Sequence, residues 1–165
     1  MTDDRLRHRT HEWLPPEPDL ERLKTLPGLD YLRELYLGDP RRVPIGQLMG
    51  FRPVRFDAGL ALFEGFPDEF HYNPIGSVHG GFAATMLDSA MGCAVHTVCK
   101  VGQGYTTVEI KVNYIRPMTR ATGRVSVEGR VVAAGNRIAT ADGKVTDEGG
   151  RLIAHGSTTC LIFPL

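Results

Sequence analysis

Residues 79–99 form the only long run with a helical pattern in the sequence. Apolar residues fall on most sides of this helix rather than on one stripe, which predicts a helix that is buried nearly all round. Small residues recur along it, among them Gly81, Ala84 and Gly92, and would let another backbone or a second subunit approach closely. The rest of the chain is therefore expected to wrap around this one helix.

Two short helices are predicted before the central one. Apolar residues recur at helical spacing over residues 19–26 and again over residues 30–37. Residues 1–18 are polar and contain three prolines, which favours an extended lead-in. We therefore expect residues 1–45 to form a lead-in with two short helices, and residues 46–165 to form the main domain.

Strands are predicted on both sides of the central helix. A hairpin is expected over residues 46–56 and 59–66, with strands beginning near Ile45. After the helix, the alternation typical of strands continues to the end of the chain. The turns between the later strands are short, so four strands are expected to form an antiparallel meander. These strands are predicted at about residues 107–114, 122–134, 136–147 and 151–163.

These elements together predict an α+β domain of the hotdog architecture. It would be a curled antiparallel sheet of about six strands wrapped around one long central helix, with short N-terminal helices. In the first strand after the helix, alternation predicts one apolar and one polar face. The apolar face would carry Val108, Ile110, Val112 and Tyr114, and the polar face Thr107, Glu109, Lys111 and Asn113.

A carboxylate, Asp88, falls in the middle of the apolar helix. Burying a carboxylate is costly unless it is paired or hydrogen-bonded, and the sequence has no Lys or Arg between Phe56 and Cys99. Two interpretations are open. Asp88 could accept hydrogen bonds from distant backbone or from a strand arginine. Alternatively, it could lie at a cleft and act as a general base or nucleophile.

The triplet His79-Gly80-Gly81 stands where that helix is expected to begin. Unpaired N–H groups at a helix N-terminus can stabilise a developing oxyanion, and glycine lets an oxygen approach the backbone closely. The two glycines could instead serve only to turn the loop tightly into the helix. His79 is expected to be a hydrogen-bonded loop anchor more often than a proton donor.

Gly80 and Asp88 are eight residues apart, which is about 12 Å along a helix axis at 1.5 Å per residue. Within one straight helix they could not serve the same carbonyl group. Either the helix bends at its glycines, or Asp88 faces Gly80 of a second subunit across a two-fold axis. We favour the second arrangement, which requires a dimer.

Other kinds of chemistry lack their usual signatures. No histidine pair has the spacing of metal ligands, and no nucleophilic serine elbow or phosphate-binding loop is present, so we expect no metal and no cofactor. The 19 basic residues balance the 19 acidic ones, which argues against nucleic acid as a partner. The N-terminus has no apolar core of signal-peptide type and no segment is long enough to span a bilayer, so a cytoplasmic protein that does not enter membranes is expected.

The stretch from Asn73 through His79-Gly80-Gly81 to Asp88 resembles the signature of hotdog-fold thioesterases of the phenylacetate-degradation type, which include aromatic acyl-CoA thioesterases. The predicted element order agrees over residues 46–165. The resemblance implies hydrolysis of an acyl-CoA, with Asp88 as general base or nucleophile and the Gly80 N–H bound to the thioester oxygen. Asn73 and His79 would shape the site. By strand register, the residue that positions water would be Thr107.

The resemblance also implies a homodimer or a dimer of dimers with sites at the subunit interface. Gly81 would contact the substrate, and Arg137, Arg116 and Lys111 are candidates for binding the phosphates of coenzyme A. The N-terminal helices could cap the acyl pocket or only pack on the sheet. Aromatic and medium-chain acyl groups both remain open. The alternatives are a non-catalytic acyl-CoA sensor and a hydratase acting on enoyl or hydroxyacyl thioesters.

Overall fold

A computed structural model describes residues 5–15 and 20–165. Its strands form a six-stranded antiparallel sheet that wraps around one helix. The helices are α1 (Leu20–Thr25), α2 (Gly28–Tyr36), α3 (Pro44–Met49) and α4 (Gly80–His96). The strands are β1 (Phe51–Asp57), β2 (Leu60–Gly65), β3 (Gln103–Tyr114), β4 (Val125–Ala134), β5 (Ile138–Asp147) and β6 (Leu152–Pro164). The predicted fold class is confirmed.

The central helix α4 contacts every strand of the sheet. Its apolar side chains, such as Phe82, Met86 and Met91, are fully buried against the strands. It is the longest described helix, and none of the described helices is long and apolar enough to cross a membrane.

Helix α4 is buried nearly all round, as predicted, except along one stripe. The sheet covers the other faces of the helix and leaves this face at least partly open, with Asp88 exposed. The residues of the stripe are Gly81, Ala84, Thr85, Asp88 and Ser89.

Glycines in the sheet allow α4 to lie directly on the strands. A Cβ atom on Gly129 of β4 would lie 2.6 Å from the backbone nitrogen of Met91, and closer still to the carbonyl of Ala90. A Cβ atom on Gly143 of β5 would meet the side chains of Leu87 and Met91 at 2.9 Å. Since real Cβ atoms do not approach this closely, the depth at which α4 sits is set by these two glycines.

The predicted four-strand meander is wrong in one respect. The sheet order is β1-β2-β4-β5-β6-β3, so β3 pairs with β6 at the far edge and β4 pairs with β2. Only β4, β5 and β6 form a meander, because short turns join them. The segment between β3 and β4 contains a short 3₁₀ helix at Arg120–Thr122, and it is long enough to cross to the other side of the sheet.

The N-terminal region contains the two predicted short helices, α1 and α2. The prediction that strands begin near Ile45 is wrong, because α3 occupies residues 44–49 and β1 begins at Phe51. Pro44 is the first residue of α3, and Gly50 ends it with a left-handed backbone (φ +73°), a combination that favours a helix.

The predicted lead-in falls partly outside the described residues, at positions 1–4 and 16–18. Over residues 5–15 it forms neither helix nor strand. The division of the chain at residue 45 stays a prediction.

Helix α2 packs against the C-terminal end of α4 around His96. The imidazole is only 7% exposed and lies between the rings of Tyr31 and Tyr105, with centroids 5.5 and 5.3 Å away. A Cβ atom on Gly28 would collide with the backbone of His96, so the two helices are in close contact there. Burial lowers the pKa of His96 from 6.5 to about 4, so the ring is neutral in the folded protein at neutral pH.

The Gly129→Ala substitution is expected to lower the free energy of unfolding by about 3 kcal/mol, because the added methyl group must push α4 off the sheet. The measurement is urea denaturation. Gly38→Ala is the control, since its Cβ would meet nothing within 4 Å, and it should change stability by less than about 0.5 kcal/mol. Equal effects of the two substitutions would contradict the proposed role of Gly129.

Stability is expected to fall as the pH drops from about 6.5 towards 4. In this range the unfolded chain binds a proton at His96 and the folded chain does not, which corresponds to a loss of about 2 kcal/mol between pH 7 and pH 5. Denaturation curves at the two pH values should show a smaller loss for His96→Gln. The control His155→Gln, at an exposed histidine, should keep the wild-type pH dependence. An unchanged pH dependence in His96→Gln would refute this assignment.

Candidate active site

Asp88 and Thr107 meet at the open side of α4. The hydroxyl of Thr107 donates a hydrogen bond to Oδ1 of Asp88 over 2.9 Å. No Lys or Arg pairs with Asp88 in the part of the chain that the structure describes. The carboxylate is therefore held by a neutral hydroxyl group, and its other oxygen, Oδ2, takes no part in that hydrogen bond.

A β-bulge in β3 brings Thr107 to this position. The register of β3 against β6 shifts between Thr107 and Glu109, so Val108 is the extra residue. Thr107 pairs with Cys160, which is fully buried, and therefore lies on the inner face of the sheet. The carbonyl of Glu109 accepts a hydrogen bond from the hydroxyl of Thr158 over 2.7 Å, which satisfies a backbone group beside the bulge.

The predicted alternation of β3 is thus correct from residue 109 onwards and wrong at Thr107. Simple alternation placed Thr107 on the outer, polar face with Lys111. Because the bulge adds one residue, the side chains that precede it in β3 point to the opposite face from the one that simple alternation predicts. A strand sequence with no glycine at the bulge gives little sign of such a shift.

The N-terminus of α4 is capped by His79. Its Nδ1 accepts a hydrogen bond from the N–H of Gly81 over 2.9 Å, so the N–H of Gly81 is already occupied. The N–H of Gly80, the first residue of the helix, has no acceptor among the described residues. The hydroxyl of Tyr114 donates a hydrogen bond to the carbonyl of Gly80 over 3.2 Å. One backbone donor therefore remains available at the positive end of the helix dipole.

Asn73 organises the loop that leads into this cap. Its Oδ1 accepts hydrogen bonds from the backbone N–H groups of Ile75 (3.1 Å) and Ser77 (3.4 Å). Its Nδ2 donates to the hydroxyl of Ser77 over 3.2 Å. The side chain of Asn73 therefore shapes the loop in front of the helix, and the structure brings it into no hydrogen bond with Asp88.

The Gly80 N–H and the Asp88 carboxylate do not meet within one chain. Helix α4 is continuous from Gly80 to His96, without the bend that would be needed to bring them together. They are therefore about 12 Å apart along the helix axis. Asp88 lies on the stripe of α4 that the sheet leaves open, and Gly80 immediately precedes the first residue of that stripe.

The basic residues considered for coenzyme A lie away from Asp88. Lys111 is on the outer face of the sheet, in a polar groove that includes Glu128 and Asp142. The guanidinium of Arg116 donates to the carbonyl of Leu152 at the start of β6. Arg137 is exposed in the turn between β4 and β5. None of the three is joined to Asp88 by a described contact.

A cavity of about 500 Å³ opens beside Asp88, within the range typical of small-molecule sites. One side is formed by Asp88, Ser89, Cys93 and His96 of α4. The opposite side includes Leu23 of α1, Tyr31, Leu32 and Tyr36 of α2, and residues 42–45. The N-terminal helices therefore line a pocket and do more than pack on the sheet.

The inner part of this cavity is uncharged. Burial raises the pKa of the Cys93 thiol to about 12 and raises that of the Tyr105 hydroxyl well above its ordinary value. Burial also raises the pKa of Tyr36, and the neighbouring Tyr31 adds to this effect. Thiol and phenol groups here are therefore neutral hydrogen-bonding partners at physiological pH.

Sequence reasoning missed several residues of the site. Tyr31 and Tyr36 could be recognised only as part of the apolar pattern of α2, since the surface that they cover depends on tertiary packing. Tyr114 could be placed on the apolar face of its strand. Its contact with Gly80 follows from the position of β3 at the edge of the sheet, which sequence patterns did not reveal.

Comparisons with known proteins agree with this geometry. A family model described as "Thioesterase superfamily" matches residues 75–154. A candidate esterase of Saccharolobus solfataricus is 34% identical over 88 residues, which cover 53% of this chain and 57% of that protein. Acyl-coenzyme A thioesterase 13 of Mus musculus is 28% identical over 93 residues, which cover 56% of this chain and 65% of that protein. The chain thus spans less than two thirds of the length of either curated relative.

Solved structures match a larger part of this chain than the curated relatives do. A variant of the phenylacetic acid degradation protein PaaI from Thermus thermophilus superposes with a TM-score of 0.65 at 27% identity. The match covers 97% of that chain and 72% of this one, so over a quarter of this chain has no counterpart there. The chain thus has the hotdog fold, and its residues 75–154 match the thioesterase superfamily.

Proposed function

We propose that this protein hydrolyses an acyl-CoA thioester to the free acid and coenzyme A. The observation that carries the proposal is the Asp88–Thr107 hydrogen bond beside a ligand-sized cavity. A carboxylate held by a hydroxyl group can activate or position water. A free backbone N–H at a helix N-terminus can stabilise the oxyanion of a thioester under attack. The name of the mouse relative supports acyl-CoA as the substrate class.

The reaction follows from these groups. Thr107 donates its proton to Asp88, so the lone pairs of its oxygen can accept a hydrogen bond from water. Asp88 removes a proton from that water as it attacks the thioester carbonyl, or attacks the carbonyl itself to give an anhydride that water then cleaves. The Gly80 N–H binds the oxyanion. Collapse of the tetrahedral intermediate breaks the carbon–sulfur bond, and the thiolate leaves as coenzyme A and takes up a proton.

Each site is proposed to combine Asp88 of one subunit with Gly80 of another. Helix α4 is continuous, which keeps the two groups apart within one chain. Strand β3 lies at the sheet edge, and its residues Val108 and Tyr114 are each 56% exposed. An exposed apolar edge strand favours pairing with another chain. A homodimer, or a dimer of dimers, would cover this surface and bring the two groups to one substrate.

The remaining residues have supporting roles in this proposal. His79 and Asn73 fix the loop and the first turn of α4, and so direct the Gly80 N–H. Gly81 gives its N–H to His79 and lets the substrate pass close to the helix. Arg137, Arg116 and Lys111 are proposed to meet the coenzyme A phosphates of a substrate that lies across the dimer surface.

The Asp88→Asn substitution is expected to reduce thioester hydrolysis by about 10²–10⁴-fold while acyl-CoA binding persists, since the shape is kept and the base is lost. Thr107→Val should lower kcat by about tenfold, and Thr107→Ser should restore it. Release of free thiol from a panel of acyl-CoA thioesters measures these rates. Asp142→Asn, at an exposed carboxylate on the outer face, is the matched control. Wild-type turnover in Asp88→Asn, or hydration of an enoyl thioester without thiol release, would overturn the proposal.

The Gly80→Pro substitution is expected to lower kcat by about 10²-fold, because it deletes the oxyanion donor. Proline is tolerated at the first position of a helix, and His79 has the extended backbone (ψ 137°) that a following proline requires. Gly80→Ala is the control. Its Cβ meets the Tyr114 ring at 3.0 Å, as that of proline would, but its N–H is kept.

Mixing the two inactive variants tests the shared site. If each site uses two subunits, a heterodimer of Asp88→Asn and Gly80→Pro chains has one intact site and one doubly altered site. Random reassociation should then restore about one quarter of wild-type activity. A site contained within one chain would give no recovery. Light scattering on the same samples measures the oligomeric state.

A further inference from the structure

We propose that the N-terminal helices set the acyl-group selectivity of this protein. The cavity accepts a long, uncharged acyl group, which lies along α4 from Asp88 towards His96. This inference rests on the proposed function for the identity of the reactive end. It goes further in naming which part of the acyl group is recognised and which residues of the same chain recognise it.

The direction of the cavity follows from the helix. The four residues of α4 that line it are Asp88, Ser89, Cys93 and His96, whose spacing places them along one face. From the first to the last they span about 12 Å of the helix axis. An acyl group bound at Asp88 by its carbonyl end would therefore have two turns of helix along which to extend.

The opposite wall comes from the N-terminal segment of the chain. Leu23, Tyr31 and Tyr36 lie on α1 and α2, and residues 42–45 lead into α3. All of them precede residues 75–154, which the family model matches. The wall that faces the acyl group is therefore formed by residues that lie ahead of the stretch matched by the family model.

The chemistry of the lining favours an uncharged acyl group. Among the described residues that line the cavity, the charged ones are Asp88 and Arg42, and both are exposed to solvent. The other lining residues are uncharged and most of them are aromatic or aliphatic, with Phe56, Phe63 and Phe163 among them. A carboxylate on the far part of the acyl group would lose its hydration there without gaining a buried partner.

The test compares kcat/KM for acetyl-CoA, octanoyl-CoA and suberyl-CoA, the last of which has the length of octanoyl and a terminal carboxylate. Octanoyl-CoA is expected to exceed each of the other two by at least about tenfold, since added methylenes bury apolar area and the carboxylate does not. Equal values for acetyl-CoA and octanoyl-CoA would overturn the length selectivity. A preference for suberyl-CoA would overturn the requirement for an uncharged group.

A cavity-filling variant assigns the selectivity to the N-terminal helices. Leu23→Trp should lower kcat/KM for octanoyl-CoA by about tenfold more than it lowers kcat/KM for acetyl-CoA. Leu37→Trp is the matched control, because Leu37 is exposed and does not line this cavity. Equal losses for both substrates in Leu23→Trp would overturn the assignment.

A binding measurement separates this inference from the proposed reaction. Titration calorimetry with the Asp88→Asn variant should give a Kd for octanoyl-CoA at least about tenfold lower than that for acetyl-CoA. If the wild-type protein hydrolyses none of the thioesters and this difference in Kd is found, the cavity inference stands and the proposed reaction fails. If thioesters are hydrolysed and Kd is the same for both ligands, the proposed reaction stands and the cavity inference fails.

Discussion

The close contact between α4 and the sheet is the constraint on which the rest of the structure depends. At Gly129 the strand backbone lies against the helix backbone at Ala90 and Met91, with no side chain between them. With the helix held this deep, its large apolar side chains fill the space inside the curled sheet. The face of α4 that points away from the sheet takes no part in this packing. Asp88 lies on that face, so the exposure of the candidate catalytic carboxylate follows from how the core is packed.

Sequence patterns predicted what depends on local periodicity and on single unusual residues. The apolar run at residues 79–99 predicted the central helix, and Asp88 stood out within it because a carboxylate there requires an explanation. The short turns predicted that β4, β5 and β6 are neighbours. The N-terminal helices followed from the spacing of their leucines, and the family signature around His79-Gly80-Gly81 pointed to the correct superfamily.

Features that depend on non-local pairing could not be predicted in the same way. Strand β3 pairs with β6, whose residues are at least 40 positions away in sequence from their partners, and alternation carries no information about partners at that distance. The bulge at Val108 arises from this pairing, and simple alternation therefore gave the wrong face for Thr107. The residue was singled out only by the family resemblance. Helix α3 was mistaken for a strand although Pro44 and Gly50 mark its two ends. The role of α1 and α2 as cavity walls depends on packing that no local signal records.

The bulge in β3 also has a consequence for how the sequence of this protein can change in length. Val108 has no partner in β6, so a residue inserted into β6 between Thr159 and Cys160 would pair with it, make the ladder regular and turn Thr107 away from Asp88 without altering either residue. Strand β3 forms the outer edge of the sheet, so its residue count also fixes which backbone groups a neighbouring chain would meet. A one-residue insertion is therefore tolerable in the turns of this fold but not in β6 opposite the bulge. The unpaired residue of β3 fixes both the face on which the Thr107 hydroxyl lies and the alignment of the edge strand.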